Sequence, residues 1–423
     1  MERSLQKLIR SLGPGLITGA ADDDPSGIAT YSQAGAQFRF SLVWTLILTT
    51  PLMISIQMLS ARVGWVTGEG LAANINKLCP RWLSLLLVGL FVTANTINIA
   101  ADLGAMGESA RLVVGLPAGL GVLLFGLGCA AGQLFFSYER SVRILKWLTL
   151  SLFAYVAVVL SIEISWSSFL LQSLQPWSDW GPKHTVKDYS AMVVAVLGTT
   201  ISPYLFFWQS AQEVEDNNRR PDSESRRTSP EYVAEQLLRI KRDTYVGMIF
   251  SNLIALCILI ATAVTLNQHG VTDIQSSAQA ALALRPVAGE FAFFIFALGI
   301  IGTGLLAIPV LAGSAAYAVS EIFGWRSGLS LKFAQARGFY RIIFAATGIG
   351  ALLGYFDVDP IKMLVWAAMI NGVISVPIMV AMMLIGQSKR LMGAQTISQR
   401  HRVFGWLATA LMTIAVLIMF ATS

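Results

Sequence analysis

Residues 13–36 read GPGLITGAADDDPSGIATYSQAGA, and three consecutive carboxylates, Asp22, Asp23 and Asp24, interrupt a stretch otherwise built of apolar and small residues. An acidic side chain at the centre of a membrane helix costs about 2.5–3.5 kcal/mol on insertion scales. A plain anchor helix does not keep three. The next residue supplies a reason. Asp24-Pro25 is a helix start: an Asp that accepts hydrogen bonds as N-cap, then Pro at the first helical position, where its missing N–H costs nothing. A helix that restarts inside a span is a broken helix, and irregular backbone at that depth must be buried in protein or line a cavity. The competing reading is a loop joining two short hydrophobic segments, with the aspartates in water.

The rest of the chain favours the membrane. Its 423 residues are 55% hydrophobic and 13% charged, where a soluble domain is about 25% charged. The apolar residues fall in long runs, which predicts an all-α integral membrane protein. The N-terminal lead-in, residues 1–13, lacks the apolar core and cleavage site of a signal peptide. Cys79, Cys129 and Cys257 have no metal or disulfide spacing, and His184, His269 and His401 fall in expected loops. No nucleophile–base pair or phosphate loop suggests an enzyme.

Eleven spans are expected, near 14–36, 42–64, 83–108, 118–136, 145–165, 190–211, 244–266, 291–318, 339–356, 362–386 and 403–421. With the N-terminus in the cytoplasm, only Arg39, Arg111, Lys183, Lys187, Arg285 and Lys362 of the 30 basic residues fall outside. That bias obeys the positive-inside rule for a cytoplasmic-membrane protein. It also accounts for the net charge of +6 without a nucleic-acid partner. The longest polar segment inside is 213–243, whose middle, Asn217 to Ser229, is expected to be a mobile loop. The external segment 166–189 carries Trp166, Trp177 and Trp180, suited to an interfacial belt.

A second interruption follows in the sixth span. Gly198, Thr199, Thr200 and Ser202 break an apolar run, and Ser202-Pro203 repeats the order of capping residue then Pro. Interrupted helices at matching places in two halves point to an inverted-repeat transporter with a midplane site. An ordinary proline kink is the alternative. In the third span Asn95, Asn98 and Asp102 share one helix face. An intramembrane Asp on such a stripe serves either function or a packed hydrogen-bond network. In the tenth span Asn371 is a lone amide that lines a cavity or bridges two helices.

These residues resemble the Nramp family of divalent-metal transporters from the first span through the tenth. Gly13-Pro14-Gly15, Asp24-Pro25-Ser26-Gly27, Gln57 to Gly68 and Ile99 to Leu103 carry the similarity. The resemblance implies a leucine-transporter-like fold with helices 1 and 6 broken. Its two inverted five-helix repeats would be 14–165 and 190–386, with a C-terminal loop and eleventh helix in 387–423. It places the metal-binding Asp on Asp24, the family's Asn on Gly27, and its carbonyl-donating Ala on Thr199. The Met-Pro-His of the sixth span becomes Ser202-Pro203-Tyr204. The proton-linked Asp falls on Asp102, its acidic neighbour on Ala105, and an arginine pair on Arg337 and Arg341. These departures resemble the magnesium-transporting relatives that lack the site methionine.

The expected metal ligands are therefore Asp24, Thr199, Ser202 and Asn371 around Gly27, all donors being hard oxygens, with Asp22 and Asp23 leaving the register open. With no thioether or imidazole, a soft metal is not favoured. The loss of large Met and Asn side chains is expected to leave room for a partly hydrated ion, Mg²⁺ or Mn²⁺. Asp102, Tyr204, Arg337 and Arg341 are the candidate proton or polar relay. The phenol of Tyr204 hardly titrates near neutral pH, so weak or absent proton coupling is expected. The competing class is an organic-solute carrier on the same fold. No cofactor is expected; the partners are the transported cation and the lipid bilayer.

Overall fold

The computed structural model describes residues 18–19, 21–135, 149–177, 185–218, 229–356 and 359–422. The described secondary structure is helical throughout. The first described helix, α1 (Pro25–Phe38), is preceded by helical residues at 21–22 and a break at 23–24, so the chain restarts where the sequence places it. Then come α2 (Val43–Thr67), the short α3 (Leu71–Leu78), α4 (Arg81–Val114) and α5 (Ala118–Phe135). α6 (Phe153–Ser161) and α7 (Trp166–Leu174) follow, and the chain bends by 113° between them. The sixth span is two helices, α8 (Val186–Thr200) and α9 (Pro203–Asn218). The remainder is α10 (Pro230–Thr265), α11 (Ala292–Phe323), α12 (Arg337–Tyr355), α13 (Pro360–Gln387) and α14 (Gln399–Thr422), with short turns of helix between α10 and α11.

Among the described residues nine helical stretches are long and apolar enough to cross a membrane, and the bent pair makes ten. The expected first span, broken at 23–24, is not among these ten. Parts of that span and of the fifth lie outside the described residues, as do residues 219–228 of the expected loop and Trp180. Trp166 and Trp177 are exposed. His401 lies in the first turn of α14 rather than in a loop.

The seventh span departs furthest from expectation, starting 14 residues early at Pro230. The hydropathy signal stops near 244, but the helix continues because its extension has its own partners. Ile240 packs with Ala61 and Trp65 of α2, joined by Tyr232, Val233 and Leu237. Arg239 forms an ion pair with Glu213 of α9 at 2.5 Å.

Small residues set how closely the central helices approach. A Cβ added at Gly198 would lie 2.1 Å from the Ala368 carbonyl oxygen and 2.6 Å from the Gly372 nitrogen, so α8 and α13 touch backbone to backbone there. The end of α8 that carries the second break is thereby held against the part of α13 that carries Asn371.

Candidate functional site

Asp24 has extended backbone (φ −70°, ψ 170°) and caps α1. Its Oδ1 accepts from the Gly27 N–H at 2.7 Å and from Ser26 Oγ at 2.8 Å. Its Oδ2 accepts from Asn98 Nδ2 of α4 at 3.1 Å and faces the Tyr204 hydroxyl at 3.5 Å. The carboxyl group is buried, so the restart of the first span presents an acidic group inside the protein.

The other two acidic residues turn elsewhere. Ser251 Oγ of α10 lies 2.6 Å from Asp22 Oδ2 and 3.1 Å from Asp23 Oδ1. Of the three consecutive carboxylates, Asp24 is the one joined to α4 and α9. Among the described residues no three His, Cys, Asp or Glu side chains gather into a cage for a metal ion. Other oxygen donors and water must complete any cation shell here.

The second break is built with opposite polarity. Ile201 closes α8 through its N–H to the Leu197 carbonyl at 2.8 Å, and Pro203 opens α9. Ser202 does not repeat the forward-capping role of Asp24. Its hydroxyl points back, 2.8 Å from both the Gly198 and Thr199 carbonyls. The reason is chemical: a carboxylate only accepts and so suits the free N–H groups at a helix start. A hydroxyl can donate and so suits the free carbonyls at a helix end. The Tyr204 hydroxyl likewise donates to the Ala21 carbonyl at 2.9 Å, tying the second break to the first.

The expected extra room at Gly27 is absent. A Cβ there would lie 3.2 Å from Thr199 Oγ1, 3.3 Å from the Asp22 carbonyl oxygen and 3.4 Å from Tyr31 Cε2. The space that a longer side chain at 27 would fill is occupied by the Thr199 hydroxyl and the Tyr31 ring. Gly27 and Thr199 thus meet across the two breaks. Tyr31 holds this corner through its hydroxyl, 3.2 Å from Thr200 Oγ1.

The polar stripe of α4 runs into the same place. Asn371 Nδ2 donates to Asn98 Oδ1 at 3.3 Å, and Asn98 Nδ2 lies 3.5 Å from Asp102 Oδ2. Asn95 instead donates to the Leu311 carbonyl and Ser314 Oγ of α11, both at 2.9 Å. Asp102 Oδ1 and Asn371 Oδ1 are buried without a hydrogen-bond partner among the described residues. Asn98 is the hub that sequence reasoning left out of the ligand set. Its signal was present, one turn before Asp102 on the same face.

Arg337 and Arg341 are not brought to this cluster. Both are exposed in the first turns of α12. α12 meets α4 near its other end, where Gly350 and Gly354 pack on Ile99 and Ala100. Arg341 and Arg337 precede Gly350 by nine and thirteen residues, about 14 and 20 Å of helix at 1.5 Å per residue. Both arginines thus lie well along α12 from the point where it packs on α4.

Residues 15–422 match the family model described as natural resistance-associated macrophage protein-like, Nramp. A divalent metal cation transporter MntH from Erwinia tasmaniensis is 27% identical over 321 residues, 72% of each chain. One from Klebsiella pneumoniae is 26% identical over 410 residues, 95% of this chain and 91% of its own. Among solved structures, the Eremococcus coleocola manganese transporter superposes with a TM-score of 0.80 at 17% identity, covering 99% of this chain and 87% of that one. Mhp1, a nucleobase-cation-symport-1 family transporter, gives 0.56 at 12% identity over 97% and 92% of the two chains. The fold is the leucine-transporter-like arrangement of two inverted five-helix repeats and one further helix.

Proposed function

The chain belongs to the Nramp family, and from that premise we propose that it carries a hard divalent cation, Mg²⁺ or Mn²⁺, across the cytoplasmic membrane by alternating access. It is a multi-pass membrane transporter and not an enzyme, and the charge bias puts its N-terminus in the cytoplasm.

The observation that carries this reading is the placement of Asp24. One carboxylate stands at the restart of the first span, turned toward the Asn98 amide nitrogen and the Tyr204 hydroxyl, which also reaches the Ala21 carbonyl. In the site we assign, Asp24 supplies the charge and Thr199, Ser202 and Asn371 supply neutral oxygen, while Gly27 lets the Thr199 hydroxyl approach. A donor set of this kind suits an ion that keeps several waters around one or two carboxylates. It offers nothing that rewards a soft metal. An organic solute with its own carboxylate fits poorly: Asp24 occupies the helix N-terminus that would receive it, and Pro203 removes an N–H from the other.

Weak or absent proton coupling is part of the proposal. Asp102 has Ala105 rather than an acidic residue one turn on, Tyr204 is a phenol engaged with the Ala21 carbonyl, and the two arginines lie at the far end of α12. The cation gradient and the membrane potential, about 2.3 kcal/mol per charge per 100 mV, then drive uptake.

The test is uptake into proteoliposomes with Mg²⁺, Mn²⁺ and Cd²⁺ in competition. Mg²⁺ and Mn²⁺ should displace each other, with Cd²⁺ a weak competitor. Strong preference for Cd²⁺ over both would overturn the hard-site reading.

A further inference from the structure

The inner half of the sixth span, α9, leads from the second break to the face that the charge bias places in the cytoplasm. One side of α9 is fastened to α11. Trp208 is fully buried against Gly313, where an added Cβ would lie 2.8 Å from Trp208 Cζ3, so only a glycine admits the indole at this spacing. The Trp208 ring meets Tyr317 edge-on, with centroids 6.2 Å apart. Gln212 Nε2 donates to the Tyr317 hydroxyl at 3.2 Å. That hydroxyl donates to Glu215 Oε1, which also accepts from the Leu329 N–H at 2.7 Å.

Trp208, Gln212 and Glu215 recur at helical spacing and share one face of α9, and the buried Ala211 lies beside them. Their partners belong to α11 and to the segment after it. On a neighbouring face Phe207 stacks on Phe91 of α4, with centroids 4.2 Å apart. Packed aromatic rings and a hydrogen-bonded carboxylate therefore stand between the breaks and the inner face. The opposite side differs. There a cavity of about 230 Å³ is lined by Gln33, Gln37, Ala191, Met192 and Met369, between the outer ends of α1, α8 and α13.

We propose that Gln212, Glu215 and Tyr317, with Trp208 seated at Gly313, form the latch that holds the inner route shut, and that their parting precedes release of the cation. The inference rests on the carrier reading above and adds to it the residues that set which side is open. The ring contacts fix how the helices meet, and the hydrogen bonds to Glu215 set how firmly they stay. Removing the Tyr317 hydroxyl leaves the rings in place and takes away one of those bonds, together with its contacts to Gln212 and the Leu329 N–H. A packed interface with two discrete arrangements responds by shifting population rather than by loosening.

The experiment uses the full chain in nanodiscs, with Cys79, Cys129 and Cys257 replaced by Ser and one reporter added at a time. Ala211→Cys reports the latch face and Ala191→Cys the outer cavity, each read as the rate of maleimide labelling. Tyr317→Phe should raise labelling at 211 by about tenfold, the shift produced by losing one hydrogen bond to a charged group, and lower it at 191. Glu215→Gln, which keeps an acceptor but removes the charge, should move both rates the same way by less, and serves if Tyr317→Phe does not fold. An unchanged rate at 211 overturns the proposal. So does a rise at both positions, which means general loosening rather than a latch. The readout needs no transported ion, so a failure of the metal assignment leaves this result standing, and the reverse holds too.

Discussion

Replacing Asp24 separates its two duties, because Asn and Ala remove different things. As cap, Asp24 Oδ1 holds the Gly27 N–H and Ser26 Oγ; as charge, it offers the cation its only carboxylate among the assigned ligands. Asn is as good an N-cap as Asp, whereas Ala at such a position costs about 1 kcal/mol, with a range of about 0.5–2. Here the cost falls at the upper end or beyond. Asp24→Ala strands the Gly27 N–H and one Asn98 Nδ2 donor, both in buried residues, and an unpaired buried donor costs about 1–3 kcal/mol. Asp24→Asn keeps the Gly27 and Ser26 bonds and turns an amide nitrogen toward Asn98. Asn98 can then rotate its own amide, and Asn371, whose Oδ1 has no partner, can rotate in turn to restore their bond.

The expected outcome is a dissociation between stability and transport. Thermal unfolding in detergent should place Asp24→Asn close to the parent protein and Asp24→Ala clearly below it. Uptake of Mg²⁺ and Mn²⁺ into liposomes should be lost in both. Parental uptake by Asp24→Asn would refute the assignment of the charge and direct attention to Asp22 and Asp23. A parental melting temperature for Asp24→Ala would refute the capping argument.

Arg239→Ala should destabilise the protein by about 3–5 kcal/mol, because it leaves the carboxylate of Glu213, 0% exposed, without its cation. A thermal melt checks this, and pairing the change with Glu213→Gln should recover much of the loss. For protons, a pH-sensitive dye inside liposomes held at fixed potential should show no lumenal acidification when Mn²⁺ or Mg²⁺ is added outside. Metal-dependent acidification that vanishes in Asp102→Asn would restore a symport mechanism.

What could be read in the sequence was local chemistry. Asp24-Pro25 announced a helix start because capping involves neighbours three residues apart, and the α4 stripe was legible from helical spacing alone. Ser202-Pro203 marked the right place, but its capping direction depended on which backbone groups α8 left free. The destinations of Asp22 and Asp23 were not legible, since Ser251 stands 229 and 228 residues away and only tertiary packing brings it close. Arg337 and Arg341 were named by correspondence alone, and where they lie depends on the path of α12 across α4, which local sequence does not show. The space at Gly27 was likewise invisible, because the Thr199 hydroxyl that fills it arrives from the other half of the chain.

Most oxygens of the site already have partners within the protein, and that bears on how tightly it binds a cation. Asp24 is held by Gly27, Ser26 and Asn98; the Ala21 carbonyl by Tyr204; the Gly198 and Thr199 carbonyls by Ser202. A cation reaching these oxygens displaces neutral donors already in place, so the net gain is the difference between two sets of interactions and not the full strength of either. Ser202 can yield its carbonyls by turning one hydroxyl, and Asn98 and Asn371 can present oxygen by rotating an amide. Such rearrangements leave the backbone where it is. They suit a cation that arrives with much of its water, is held by one charge, and leaves again, as a carrier requires. A pre-formed cage of several carboxylates would hold the ion more firmly and slow its release.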